Sequence, residues 1–310
     1  MKPTVKQHMV DIMEKCTVTQ DLNELLQSFM DDKAAENGVW SEITMLTHHM
    51  LGGASPHIER LAACTELIML ALDIVDDLQD QDQAVKPWMQ CPQAYTLNAV
   101  LALLMGVVGE LGQLQLPPQA FADIGRHVTR AVRGQQKDVN HTVANAEEYL
   151  IMVQEKSGSL FRLAFHIGYA PLACNEETVR LLEDLADCIG LVHQIHNDIR
   201  DATRFDLKND LLGKKRTLPF LYLLMIEDDA FAPIQDYYRG TLPSEYILEH
   251  KHAYIRLIQD SGCLEYASVI QSVCAQKAEG LFGSLEAASP WKEQFKAVTF
   301  ESFLQTQASV

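Results

Sequence analysis

Four aspartates, Asp73, Asp76, Asp77 and Asp80, close an apolar run that begins at Glu66. At about 100° per residue on a helix they fall within roughly a 100° arc, so they share one face. Like charges one turn apart destabilise a helix, and no Lys or Arg occurs between Arg60 and Lys86 to neutralise them. A cation from outside the chain is the natural remedy. Carboxylates without His or Cys suit a hard ion such as Mg²⁺, which keeps several waters and bridges to substrate phosphate. Far along the chain Gln194, Asn197, Asp198 and Asp201 repeat the same spacing behind another mostly apolar lead-in. Two such combs on separate helices could face each other across a cavity and hold metal ions between them.

The elements that must carry these combs are helices. Residues 95–114, 144–166 and 176–201 show apolar positions every three to four residues and no strand-like alternation. The fold is therefore expected to be all-α. The 310 residues contain no Pro/Gly/Ser-rich linker and no repeat beyond the combs, so a single domain spanning 1–310 is expected. A net charge of −17 argues against a nucleic-acid or anionic-membrane partner. The longest apolar run, residues 99–109, is too short to span a bilayer, and Met1-Lys2-Pro3 has no signal-peptide core behind it. No transmembrane segment and a cytoplasmic location are the expectations. Seven cysteines without a C-x-x-C pair read as reduced core thiols.

A diphosphate held by metal on one side needs cationic donors on the other. Arg133-Gly134-Gln135-Gln136-Lys137-Asp138 ends one helical stretch, and Lys156-Ser157-Gly158-Ser159-Leu160 interrupts another. The segment from Lys208 and Asn209 through Asp210 to Gly213-Lys214-Lys215-Arg216-Thr217-Leu218-Pro219 follows the second comb. A Lys there can meet phosphate as a point charge.

In this order the motifs resemble the trans-isoprenyl diphosphate synthase, or polyprenyl synthetase, family over about residues 51–224. Asp76-Asp77-Leu78-Gln79-Asp80 is similar to its first aspartate-rich motif, Gly134 to Asp138 to its G-Q-x-x-D, and Lys156-Ser157 to its K-T. Gln194-Ile195-His196-Asn197-Asp198-Ile199-Arg200-Asp201 is similar to its Q-x-x-D-D-x-x-D, with Asn197 in place of the first aspartate. Asp210 and the Gly213–Pro219 stretch resemble its D-x-x-x-G-K-x-T-x-P, one residue out of register. The resemblance implies a helical bundle around a deep apolar cavity, Mg²⁺ as cofactor, an allylic prenyl diphosphate as substrate and a homodimer.

Chain-elongating members hold isopentenyl diphosphate with G-G-K-R-x-R-P, a histidine before the first motif and an arginine pair after it. Here those donors are replaced by Ala54, Ser55, His57, Met69, Val85 and Lys86. The allylic site is kept and the homoallylic one stripped. With Asp73, Lys86-Pro87-Trp88, Glu155 to Leu160 and Asn197-Asp198, the chain looks closest to the ComQ-type peptide prenyltransferases. In that group the acceptor is a tryptophan of a quorum-sensing pheromone precursor.

The resemblance implies that Asp76, Asp77, Asp80, Asn197, Asp198 and Asp201 hold Mg²⁺ directly or through water. Gln135, Lys156 and Lys214 or Lys215 would donate to the diphosphate. Asp73, Asp138 and Gln194 would stand behind these ligands, and Asp73 could instead serve as a base. Ala71 and Leu72, one turn before the first motif, are non-aromatic and force no very short prenyl chain. Three alternatives stand beside this reading. One is an elongating synthase and another a non-catalytic helical subunit. The third is a class I terpene cyclase, whose N-D-x-x-S-x-x-x-E motif would need Asp201 in place of serine and Phe205 in place of glutamate.

Overall fold

The computed structural model describes residues 1–310 except 18, 36–37, 82, 115, 205–209 and 306–310. Phe205, Lys208 and Asn209 lie outside the described residues. Among the described residues every regular element is helical, as the periodicity predicts. In chain order they are α1 (Pro3–Cys16), α2 (Gln20–Ala35), α3 (Val39–Met50), α4 (Ile58–Asp80), α5 (Pro87–Gln90), α6 (Gln93–Gln113), α7 (Pro118–Val139) and α8 (Ala146–Val153). A π-helical turn (Gln154–Gly158) leads into α9 (Ser159–Tyr169), α10 (Glu176–Asp201), α11 (Leu218–Met225) and, after a 3₁₀ turn, α12 (Ala232–Arg239). The chain closes with α13 (Ser244–Glu249), α14 (Lys251–Asp260), α15 (Cys263–Ser284), α16 (Trp291–Thr299) and α17 (Glu301–Gln305).

Local sequence sets the ends of the site-bearing helices. Asn145 and Asn175 cap α8 and α10, accepting from Glu148 N and Thr178 N. Pro118 and Pro219 occupy first-turn positions of α7 and α11, where a missing N–H costs nothing. Helix α4 stops at Gln81, which takes a left-handed φ of 57°. Over most of its length α4 is buried on every side, from Leu61 to Ala71, so it forms the centre of the main apolar cluster with α1, α3, α6 and α9 around it. Helices α10 and α15 pack along each other and border a second cluster with α8 and α11. A third gathers residues between Ala202 and Cys263.

Helix α6 is 21 residues long and apolar enough to cross a membrane by length and composition, with 44% of that stretch buried. The run at 99–109 is flanked within the helix by Gln93, Thr96, Asn98 and Gln113 and by the buried Glu110, which pairs with Arg60. Of the thiols, Cys64, Cys188 and Cys263 are buried, but Cys16 is exposed, because it ends the polar side of α1.

Candidate active site

Two cavities meet between α4, α7, the π-turn and α10. The first, about 240 Å³, is mostly apolar, with Leu72, Val75, Ala131, Val132 and Leu160 among its lining and Asp73 at its edge. The second, about 190 Å³, is polar and gathers Asp76, Asp80, Asp138, Asn197, Asp198, Asp201 and Asp210 with Lys156 and Lys215. Asp76, Lys156 and Gln194 line both, so one chamber continues into the other.

Lys156 sits at this junction because α7 and α10 approach the π-turn more closely than any side chain would allow. A Cβ on Gly134 would lie 2.2 Å from Lys156 N, and one on Gly190 would lie 2.5 Å from Gly158 N. The interruption seen in the sequence is thus a π-turn, a feature frequent at functional sites. Lys156 Nζ donates to Asp138 Oδ2 at 2.7 Å and pairs with Asp76 Oδ1 at 3.2 Å. Burial pulls its ammonium down, but Asp138, Asp76 and Asp80 outweigh burial and hold it above its ordinary value. Lys215 is raised by the same balance, with Asp138 and Asp80 opposing burial.

The first comb is neutralised from a distance, contrary to the local reading. Lys33 meets Asp73 at 2.5 Å, Lys156 meets Asp76, and Lys215 meets Asp80 at 2.5 Å. Asp77 departs from the expected cluster: its Oδ2 accepts from Trp88 Nε1 at 2.8 Å, and it lines neither chamber. The reason is the helix itself, whose 100° steps turn Asp77 away from Asp76 and towards α5. In the second comb Asp201 takes both arms of Arg200. Asp198 is buried, accepts from Tyr149 Oη at 2.5 Å and from Gln194 Nε2 at 2.9 Å, and burial pushes its carboxyl up to about 6. Gln194 in turn accepts from Ser157 Oγ at 3.0 Å.

Of the remaining expected donors, Gln135 lines the apolar chamber and donates to Gln79 Oε1 at 2.9 Å. Lys214 adopts φ 51° and lays its ammonium over the Tyr237 ring at 4.6 Å, outside the polar chamber. Its neighbour Lys215 instead enters the polar chamber and meets Asp80.

The polar chamber fits a hard cation by donor type, since its acids and Asn197 offer oxygen ligands and the buried Asp76 Oδ1 has only its ion pair with Lys156. Among the described residues, however, no three His, Cys, Asp or Glu side chains converge on one point. Lys156, Lys215 and Arg200 pair with these acids instead.

The polyprenyl synthetase family profile matches residues 38–249. The chain belongs to the polyprenyl synthetase family. It is a prenyltransferase. It is 28% identical over 302 residues to the tryptophan prenyltransferase ComQ of Bacillus subtilis strain 168, covering 93% of this chain and 95% of that protein. It is 31% identical over 181 residues to a nonaprenyl diphosphate synthase of Mycobacterium tuberculosis, about half of each chain. In fold it superposes on a decaprenyl diphosphate synthase of Rhodobacter capsulatus with a TM-score of 0.81 at 16% identity, covering 97% and 96% of the two chains. A geranylgeranyl pyrophosphate synthase of Corynebacterium glutamicum, solved with calcium and isoprenyl diphosphate, gives a TM-score of 0.76 at 20% identity, covering 97% and 96%.

Within this prenyltransferase, Met69 and Lys86 are engaged elsewhere in the structure. Met69 is buried in the core, and Val85 is 77% exposed. Lys86 pairs with Asp32 at 2.8 Å and lies over Trp88 at 5.1 Å. His48 is structural: Nδ1 bonds Gly168 O and Nε2 accepts from Ser55 N. The sequence reading missed Lys33 and Tyr149, and it named Trp88 and Arg200 only within motifs, without their partners Asp77 and Asp201. Lys33 and Tyr149 lie 40 and 49 residues from the acids they meet, and no local spacing marks them.

Proposed function

We propose that the protein transfers a geranyl or farnesyl group from its allylic diphosphate to a tryptophan of a peptide, a quorum-sensing pheromone precursor, with Mg²⁺ as cofactor. The observation that carries this is the continuity of an apolar chamber, suited to a prenyl chain, with a lysine- and acid-lined chamber suited to diphosphate and metal. The acceptor rests on the ComQ relatives and on the loss of donors for a second diphosphate.

Asp76, Asp80, Asn197, Asp198 and Asp201 would hold Mg²⁺, with Asp77, Asp138 and Gln194 behind them. Bound there, the ion supplies positive charge to the departing pyrophosphate. Lys156 and Lys215 release their carboxylate partners and donate to the diphosphate oxygens, where negative charge develops as the carbon–oxygen bond breaks. Gln135 stands at the chamber wall as a further donor. Leu72, Val75 and Leu160 keep water from the allylic cation. The indole ring then attacks as a neutral carbon nucleophile.

A homodimer is part of this reading. Leu97, Leu101, Met105 and Val108 form an exposed apolar stripe along α6, between 48% and 63% accessible, opposite the face packed on the core. A cytoplasmic location is part of the same reading.

The test is incubation of purified protein with farnesyl or geranyl diphosphate and a library of short peptides carrying one central tryptophan and randomised flanks, with Mg²⁺ or with chelator. A prenyl-sized mass gain on tryptophan, lost with chelator, is the expected result. Release of a cyclic hydrocarbon, or longer prenyl diphosphates when isopentenyl diphosphate is added, would replace this reading.

A further inference from the structure

The geometry points to Asp73, fixed by Lys33, as the group that receives the indole N–H of the acceptor tryptophan at the edge of the apolar chamber. This rests on the reading above that tryptophan is the acceptor.

Asp73 lines the apolar chamber while its Oδ2 takes the ammonium of Lys33 at 2.5 Å. The two side chains differ in exposure: Lys33 is 7% accessible and Asp73 42%, so the pair is rooted in the wall and opens at the carboxylate end. A buried lysine is costly, and apolar residues of the same size would stabilise the fold as well or better. What the pair provides is a carboxylate held in one place beside the apolar residues of the chamber.

An indole entering that chamber brings one N–H donor, which loses water and needs an acceptor. The other polar side chains along the chamber are largely engaged within the protein. Asp76 pairs with Lys156, and Gln79 accepts from Gln135. Gln136 donates to Asn140, and Gln194 bridges Ser157 and Asp198. Gln135 Oε1 is buried without a partner and is the neutral competitor. A carboxylate has lone pairs enough to serve Lys33 and an indole together, and its charge makes the stronger bond.

The step then balances. The allylic carbon–oxygen bond breaks and its electron pair leaves on pyrophosphate. A carbon of the five-membered indole ring supplies the pair for the new carbon–carbon bond. Positive charge left in the ring reaches N1, whose proton passes to the Asp73 carboxylate. Lys33 keeps that carboxylate from capturing the allylic cation itself.

The experiment compares kcat/KM for a tryptophan peptide and for the same peptide carrying 1-methyltryptophan, with farnesyl diphosphate and Mg²⁺. The wild type should favour tryptophan by about 10- to 100-fold, the loss expected for a charge-assisted hydrogen bond. Asp73→Ala should bring the ratio close to one, and Asp73→Asn should leave it in between. Because Asp73→Ala takes a carboxylate away from a buried lysine, the double variant Lys33→Met/Asp73→Ala removes both charges and should show the same collapsed ratio in a stably folded protein. An unchanged ratio in the alanine variants, or a collapse produced by Gln135→Leu instead, overturns the assignment. Equal rates on both peptides in the wild type overturn it while leaving tryptophan as acceptor. No transfer to tryptophan at all overturns both.

Discussion

Lys215 Nζ lies 2.5 Å from Asp80 Oδ2, a contact between residues 135 positions apart in the chain. It joins the segment after the second comb to the last acid of the first. That ammonium neutralises Asp80 here; under the proposed function it would meet a diphosphate oxygen when the acid turns to a cation.

Removing one member of that pair should destabilise the metal-free protein. Asp80→Asn leaves Lys215 in a largely buried position without its carboxylate, at a cost of about 1–3 kcal/mol. Lys215→Met/Asp80→Asn should recover most of it. Urea denaturation midpoints check this, and a gain in stability for Asp80→Asn alone would show that like-charge strain on α4 dominates instead.

The split of the first comb predicts unequal variants. Asp76→Asn should cost orders of magnitude in turnover. Asp77→Asn should cost far less, because its amide oxygen still accepts from Trp88. Single-turnover rates with farnesyl diphosphate measure both, and equal losses would return Asp77 to the chamber.

Gly134→Ala should abolish the π-turn geometry. The added Cβ meets backbone at 2.2 Å, which no side-chain adjustment relieves, so Lys156 must move. Far-UV circular dichroism should keep its helical shape while turnover falls at least as far as in Lys156→Ala.

Isopentenyl diphosphate should be neither elongated nor tightly bound. Each missing charge-assisted contact at Ala54, His57 and Met69 forfeits roughly 1.5–3 kcal/mol. Titration calorimetry showing a tight second diphosphate site would contradict this.

Burial pushes His127 down to about 3 from its ordinary 6.5, helped by His166 and neighbouring arginines. A depressed histidine contributes stability above the unfolded value and loses it as pH falls, here from about 6.5 towards 3. Over that window stability should fall by up to about 1.4 kcal/mol per pH unit for this group. His127→Gln should flatten the dependence, read from denaturation midpoints against pH.

Much of this protein was legible in the sequence. Helix positions and the i, i+3, i+4, i+7 spacing of both combs are local properties, governed by 3.6-residue periodicity. Gly134 also carried its signal locally, as part of a motif whose reason is close backbone approach. The tertiary structure decided which acid faces which chamber. Asp73, Asp76 and Asp80 each find a lysine from a different part of the chain, Asp77 finds Trp88 on α5, and Asp198 finds Tyr149 on α8. A comb of like charges read in isolation looks unneutralised because ion pairs carry no sequence period. Only packing of α2, the π-turn and the segment before α11 against α4 brings the opposite charges within reach.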